Sequence, residues 1–257
     1  MLWDASAITG YAIEASDGQI GSVSDMLFED VNWTLRWLVV DTGNWLSGRK
    51  VLLPVSALGH PDRASRHFPV KLTMDQVRHS PDIDTEASVS RQNEAHVYDY
   101  YGLDPYWGGG LYPISNAMAV PFLAPLAPDE RRTLDGVDVG TVPEATSLHE
   151  AGDPHLRSIE SVTGYHIHAV DGEIGHVEDF LIDDADWNIQ YLTVDTANWW
   201  FGKRVLIAPP MVQKIDWTER MINLNVERQK VRDAPPYDPK MTVDGAFDEK
   251  FVGYYGF

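Results

Sequence analysis

Residues 39–54 read VVDTGNWLSGRKVLLP, and residues 193–208 read TVDTANWWFGKRVLIA. The same order of apolar, acidic, aromatic and basic residues at two places is either a duplicated site or the frame of a duplicated fold. Sliding the sequence by 154 residues decides between them, because 8–103 then falls on 162–257 without a gap. ITGYAIEASDGQIGSVSDMLFED (8–30) lands on VTGYHIHAVDGEIGHVEDFLIDD (162–184), and YYGL (100–103) lands on YYGF (254–257). Roughly a third of the aligned positions are identical, and about half over the first forty-five, as duplication of one structural unit requires. The chain therefore divides into a first unit (1–103), a Pro/Gly/Ala-rich connection (104–161) and a second unit (162–257).

Working outward from the repeated phrase, each unit reads as mostly β. Residues 10–15 form a short strand ahead of Asp17-Gly18, a hairpin-turn dipeptide that recurs as Asp171-Gly172. From Gln19 to Phe28 polar and apolar residues alternate, with a slip around Gly21 that predicts a bulge or a close backbone approach. Trp33 to Val40 is near-continuously apolar, the pattern of a strand buried on both faces. Asp41 and Asp195 end that strand and head turns that hold Asn44 and Asn198, where Asp and Asn side chains bond nearby backbone N–H groups. Further strands are predicted over 50–53 and 69–72. Thr73-Met-Asp-Gln76 is a capping box for a short helix ended by Pro81, and Ser90 starts a second helix towards Tyr100. Val243, Phe247, Phe251 and Tyr254 keep the apolar positions of that tail in the second unit. The expected fold is all-β: two small tandem barrels with short C-terminal helical appendages, related by a pseudo-twofold.

Composition narrows the partners. Over 257 residues, Asp+Glu 39 against Lys+Arg 20 gives a net charge of -19, which disfavours phosphate backbones and anionic membrane faces. Cysteine is absent, which removes disulfides and thiolate chemistry and fits a cytoplasmic location. The stretch NAMAVPFLAPLAP (116–128) is too short and too proline-rich for the ~20 residues of a spanning helix. These features predict a protein without a transmembrane segment, peripheral to the inner membrane at most through a protein partner.

Gly10-Tyr11, Asp17-Gly18-x-x-Gly21, the turn from Asp30 to Trp33, VVDTGNW and the tail from 80 to 107 together resemble the PRC-barrel domain. That family includes the cytoplasmic barrel of the photosynthetic reaction-centre H subunit and the C-terminal domain of ribosome maturation factor RimM. The tail is similar to the stand-alone bacterial type with two barrels. The resemblance implies an assembly or adaptor module with no catalytic residue and no cofactor. It names no partner, and homo-oligomerisation is a further option.

Four sets of side chains are candidates for chemistry. Asp25 with Asp41, and Asp179 with Asp195, could each share a proton as an acid–base pair, although no nucleophile accompanies them. His166 and His168 share a strand face, and His176 could join them across a hairpin to hold zinc or nickel, the basis of an alternative metal or small-ligand sensor. Asp183, Asp184 and Asp186 offer clustered oxygens for calcium but lack an EF-hand's Gly and distal Glu, so a solvated turn is preferred. Trp45, Trp199, Trp200 and Phe201, rimmed by Arg49, Lys50, Lys203 and Arg204, form an aromatic and basic set of the kind enriched at protein interfaces.

Overall fold

In the computed structural model, residues 1–46, 48–81, 91–102, 155–196, 204–238 and 245–256 are described. The first half contains β1 (Leu2–Asp4), α1 (Ala5–Ile8), β2 (Ala12–Ala15), β3 (Gly18–Glu29), β4 (Thr34–Asp41), β5 (Lys50–Pro54), β6 (His67–Pro69), α2 (Met74–Arg78) and α3 (Arg91–Tyr101). The second contains β7 (Leu156–Ser158), α4 (Ile159–Val162), β8 (His166–Ala169), β9 (Gly172–Asp183), β10 (Ile189–Asp195), β11 (Arg204–Ile207), β12 (Val212–Asp216), β13 (Met221–Leu224), α5 (Arg228–Arg232) and α6 (Gly245–Tyr255). The molecule is mostly β, in two sheets.

Each half is a meander with one parallel closure. β3, β4 and β5 pair antiparallel in turn, while β2 pairs antiparallel with β3 and parallel with β6. The second half repeats this as β11-β10-β9-β8-β13, and β12 extends it by one strand. The expected closed barrels are not formed among the described residues: each hydrogen-bonded order has two free ends, β5 and β6 in one sheet and β11 and β12 in the other. Between β5 and β6 the chain makes a 3-10 turn, Val55–Ala57, and two isolated bridges, Leu58 to Val70 and Asp62 to His67, which is too little ladder to close the ring.

The halves exchange a strand. β1 pairs with β9 of the second sheet, and β7 pairs with β3 of the first. Leu2–Asp4 and Leu156–Ser158 are separated by the same 154 residues as the repeat, so the exchange is reciprocal. Residues 156–161, read from the sequence as part of the connection, thus belong to the folded unit. The repeat axis passes near Thr34 and Asn188, which bridge each other; Leu35 N donates to Trp187 O and Ile189 N donates to Trp33 O, both at 2.8 Å. Trp33 and Trp187 there have φ of 56° and 61°, a left-handed conformation costing about 1–2 kcal/mol for a bulky residue. The crossed backbone bonds and the packing of Phe28 on Trp33 and of Phe68 on Trp187 hold them in it.

Buried side chains from both halves form one apolar cluster. The near-continuous apolar run of β4 is buried on both sides, as expected: Leu38 and Val40 face that cluster, while Trp37 and Val39 lie under α3 with Val97, Tyr98 and Leu156. Trp37 is 0% exposed, and its ring lies 4.7 Å from that of Tyr98. Burying an indole of that size contributes roughly 4–6 kcal/mol of transfer free energy. In the second half α6 does the same work, with Phe251 edge-on to Tyr191 at 4.9 Å. Each tail helix therefore covers its own sheet. Thr73 and Gln76 form the capping box at α2. Ser90 and Val243 lie outside the described residues.

Candidate functional site

The hairpin and turn residues have structural roles. The loop between β2 and β3 is Ser16-Asp17, with Gly18 already paired to Ala15, one residue earlier than the Asp17-Gly18 reading. Asp17 Oδ1 accepts from Met74 N at 2.7 Å and so ties the hairpin to α2. Asp171 does the same for α5 through Arg228 N at 2.8 Å, and that bond holds its carboxyl below the usual range. Gly172, like Gly18, opens the following strand. Asp41 Oδ1 accepts from Gly43 N at 2.8 Å, the turn expected of it, and Asn44 is exposed beside it. Asp195 ends β10, whereas Asn198 lies outside the described residues.

The carboxylate pairs do not meet within a half. A register shift in β3 sets Asp25 opposite Val39 and Asp41 opposite Ser22, and in the second half Asp179 faces Thr193 and Asp195 faces His176. Asp25 and Asp179 instead line one cavity of about 360 Å3 at the junction of the halves. Each caps the exchanged segment of the other half: Asp25 accepts from Ser158 Oγ and Glu160 N, and Asp179 from Ser6 Oγ and Ser6 N. Burial pushes both carboxyls upward, against the hydrogen bonds from Ser158 and Ser6. These are clasp residues with their oxygens engaged.

His166 does pair with His176 across the β8–β9 hairpin, but His168 pairs with Glu173. His166 Nδ1 lies 3.0 Å from Glu173 Oε1, and His176 Nε2 lies 3.9 Å from Asp195 Oδ2. Among the described residues no three His or carboxylate side chains are placed to hold a metal ion. Asp183 and Asp184 both accept from the Met1 amine, and Asp186 accepts from Asn188 N; the segment is a turn, but Asp184 is buried in it rather than solvated.

Of the aromatic and basic set, Trp199, Trp200, Phe201 and Lys203 lie outside the described residues. Trp45 is half-buried beneath the Arg78 guanidinium at 5.6 Å. Arg49 donates to Arg78 O and Ser80 O, which spends it on fastening the loop to the end of α2, and Lys50 is exposed. Arg204 is bidentate with Glu178. In the first half Trp45 and Arg49 are thus engaged within the chain, while Lys50 faces solvent.

A different surface is assembled by the exchange. The Asp30–Trp33 turn of the first half, Arg157 on the crossing strand β7 with His155 just before it, and Pro209–Trp217 of the second half enclose an open groove of about 800 Å3. Arg157 is its keystone. The guanidinium lies 4.0 Å from the Trp217 ring centroid, and its Nε donates to Asp30 Oδ2 at 3.2 Å. His155 Nδ1 holds the other Asp30 oxygen at 2.9 Å. Val31 is 60% exposed on the rim, and β12, the terminal strand of its sheet, forms the far wall.

The repeat-equivalent place in the first half is built from the matching residues. Trp3 stands where Arg157 does and Arg63 where Trp217 does, so the cation–π pair survives with its members exchanged, at 4.5 Å. Arg63 also donates to Leu2 O, and Asp184 gathers the Met1 amine, Trp3 Nε1 and His60. Burial opposes ionisation of Asp184, but those donors outweigh it and hold the carboxyl below the usual range. The groove is not visible in the sequence, because His155 and Arg157 lie in the Pro/Gly/Ala-rich connection between the repeats. A substitution of Trp for Arg at 217 gives no signal without knowledge of its neighbour.

Among the described residues, no helix is long and apolar enough to cross a membrane. No family model matches the sequence. A stretch of 60 residues is 40% identical to an uncharacterized protein of Deinococcus radiodurans. The match covers 23% of this chain and spans about a fifth of that protein (21%), so the similarity is confined to a fraction of either chain.

Proposed function

We propose that the chain is a non-enzymatic assembly module, built as two partly open PRC-type barrels, that receives a protein partner in the groove between its halves. The observation that carries this reading is the groove itself, an open concavity walled by both halves and ending on the terminal strand of a sheet. Open, partly apolar surfaces with aromatic and Arg anchors are what protein interfaces enrich. The motifs behind the family resemblance also support it. Asp17-Gly18-x-x-Gly21 builds the β2–β3 hairpin and VVDTGNW ends β4, so they act as frame rather than as reacting groups.

The test is co-purification of the full chain from its native cells, compared with a Val31→Arg variant. Val31 is exposed, so the added charge and bulk obstruct the groove without disturbing the core. Proteins retained by the wild type and lost by the variant support the reading. An identical retained set on both refutes it.

A further inference from the structure

We infer that β12 is a docking edge for an extended peptide that adds to the sheet as a further strand, with an acidic residue placed opposite Lys214. This rests on the assembly-module reading and specifies its partner. Among the described residues β12 is the last strand in its sheet and pairs with β13 alone, and Gln213 and Lys214 are exposed on it. A register shift between Val212 and Lys214 interrupts its ladder, so the regular edge is Lys214–Asp216, about 10 Å at ~3.3 Å per residue, a match for a three-residue core of a short segment.

The first half shows what a protected edge looks like in this fold. Its equivalent residues, 58–62, make no named strand and only two isolated bridges. Pro61 stands where Ile215 does, and proline is a standard means of blunting an edge. Arg63 then ties that region to Leu2. In the second half the proline is missing and the strand is formed; its one irregularity, a shift between Val212 and Lys214, leaves Lys214–Asp216 in regular register beside the groove.

Charge selects the occupant. The groove lining carries Arg157 and Lys214 against Asp30, and Asp216 stands beside Lys214, so cations and carboxylates balance here in a chain of net charge -19. Lys214 is the accessible member: its side chain is 71% exposed, with Asp216 at 3.8 Å. At physiological salt, screening over ~8 Å leaves a bound segment sensing these neighbours more than the distant acidic surface. A second copy of the chain is the wrong occupant. Antiparallel pairing of Val212–Asp216 with itself would oppose Lys214 to Lys214, a destabilising like-charge pair, between two strongly acidic molecules. An acidic residue between β-branched apolar neighbours satisfies Lys214 and the sheet together.

The probe is the capped peptide Thr-Val-Glu-Val-Thr, which reads the same in parallel and antiparallel directions, titrated into the full chain and followed by backbone amide NMR. Expected are saturable shifts centred on residues 212–216 and slowed amide exchange there. Binding should be about fivefold weaker with Lys in place of the central Glu, and Lys214→Glu should invert that preference. Lys214 is exposed, so this variant keeps the fold, and Ile215→Pro, copying Pro61 of the first half, is a second variant expected to abolish binding. Absence of saturable shifts at 212–216, or a charge preference unchanged by Lys214→Glu, overturns strand addition. If strand addition fails while Val31→Arg still loses the co-purified proteins, the assembly reading stands alone. If Val31→Arg loses nothing, the assembly reading fails as well.

Discussion

Replacing Gly175 by Ala asks whether two backbones really touch at the centre of the second half. An ideal Cβ at this position would sit 1.9 Å from the carbonyl oxygen of Asp195, and the equivalent Cβ at Gly21 would sit 2.1 Å from that of Asp41. Real contacts of this kind do not fall below 3.0 Å, so the β9 and β10 backbones must part by at least 1.1 Å (3.0 − 1.9). Asp195 is paired to both His176 and Arg204, and the displacement therefore strains two ladders at once. Overpacking of about 1–3 kcal/mol and one lost buried hydrogen bond of about 1–3 kcal/mol sum to roughly 2–6 kcal/mol. For a chain of this size that is a fall in Tm of about 4–24 °C. Gly253→Ala is the control of opposite sign. Gly253 lies in α6 with nothing within 4 Å of its Cβ position, so relief of backbone entropy should add about 0.5–1 kcal/mol. Differential scanning calorimetry of the two variants and of Gly21→Ala reads all three. A Gly175→Ala chain melting within a degree of the wild type would refute the close approach and the register built on it.

Trp3→Ala removes a buried indole together with its bond to Asp184 and its contact with Arg63, and should cost about 3–5 kcal/mol in urea denaturation. Because Trp3 pairs with Ile182, amide exchange should accelerate in β9 of the other half; acceleration confined to the first half would contradict the exchange. Asp25 and Asp179 are held upward chiefly by burial, so the folded chain keeps their protons longer than the unfolded chain. The stability they contribute is complete below the unfolded carboxylate pKa and is lost as pH rises through the folded values. The Tm of an Asp25→Asn/Asp179→Asn chain, minus that of the wild type, should therefore climb from pH 3 to pH 7, and a decline would refute the assignment. A protease site inserted within 104–154 should give, on cleavage, two fragments that co-elute in gel filtration, since each contributes a strand to the other's sheet. Separation of the fragments would count against that arrangement.

Much of this was legible in the sequence where local chemistry decides. The gap-free offset, the Thr73–Gln76 box, the apolar run of β4 and the anomaly at Gly21 each have one local cause, and each reappears in the structure. The strand exchange was not legible. Residues 1–7 and 155–161 share only the Leu2/Leu156 position, because β1 and β7 are specified by backbone pairing and by a cation–π contact whose partners are interchanged. The clasp role of Asp25 and Asp179 was hidden for a related reason. A register shift between Val23 and Asp25 turns Asp25 away from Asp41 and towards the other half, and no count along one strand reveals it.

The exchange also sets a timetable for synthesis. Leu2–Asp4 leave the ribosome long before their partners, Leu181–Asp183, have been made. At ~5–20 residues per second the interval is on the order of ten to forty seconds, far longer than a hairpin needs to form. Throughout it the first sheet lacks β7 and Trp3 has no Asp184 to bond. A nascent chain stalled before residue 155 should therefore present an incomplete edge along Leu27–Glu29, the natural place for a chaperone to stand guard until the second half arrives.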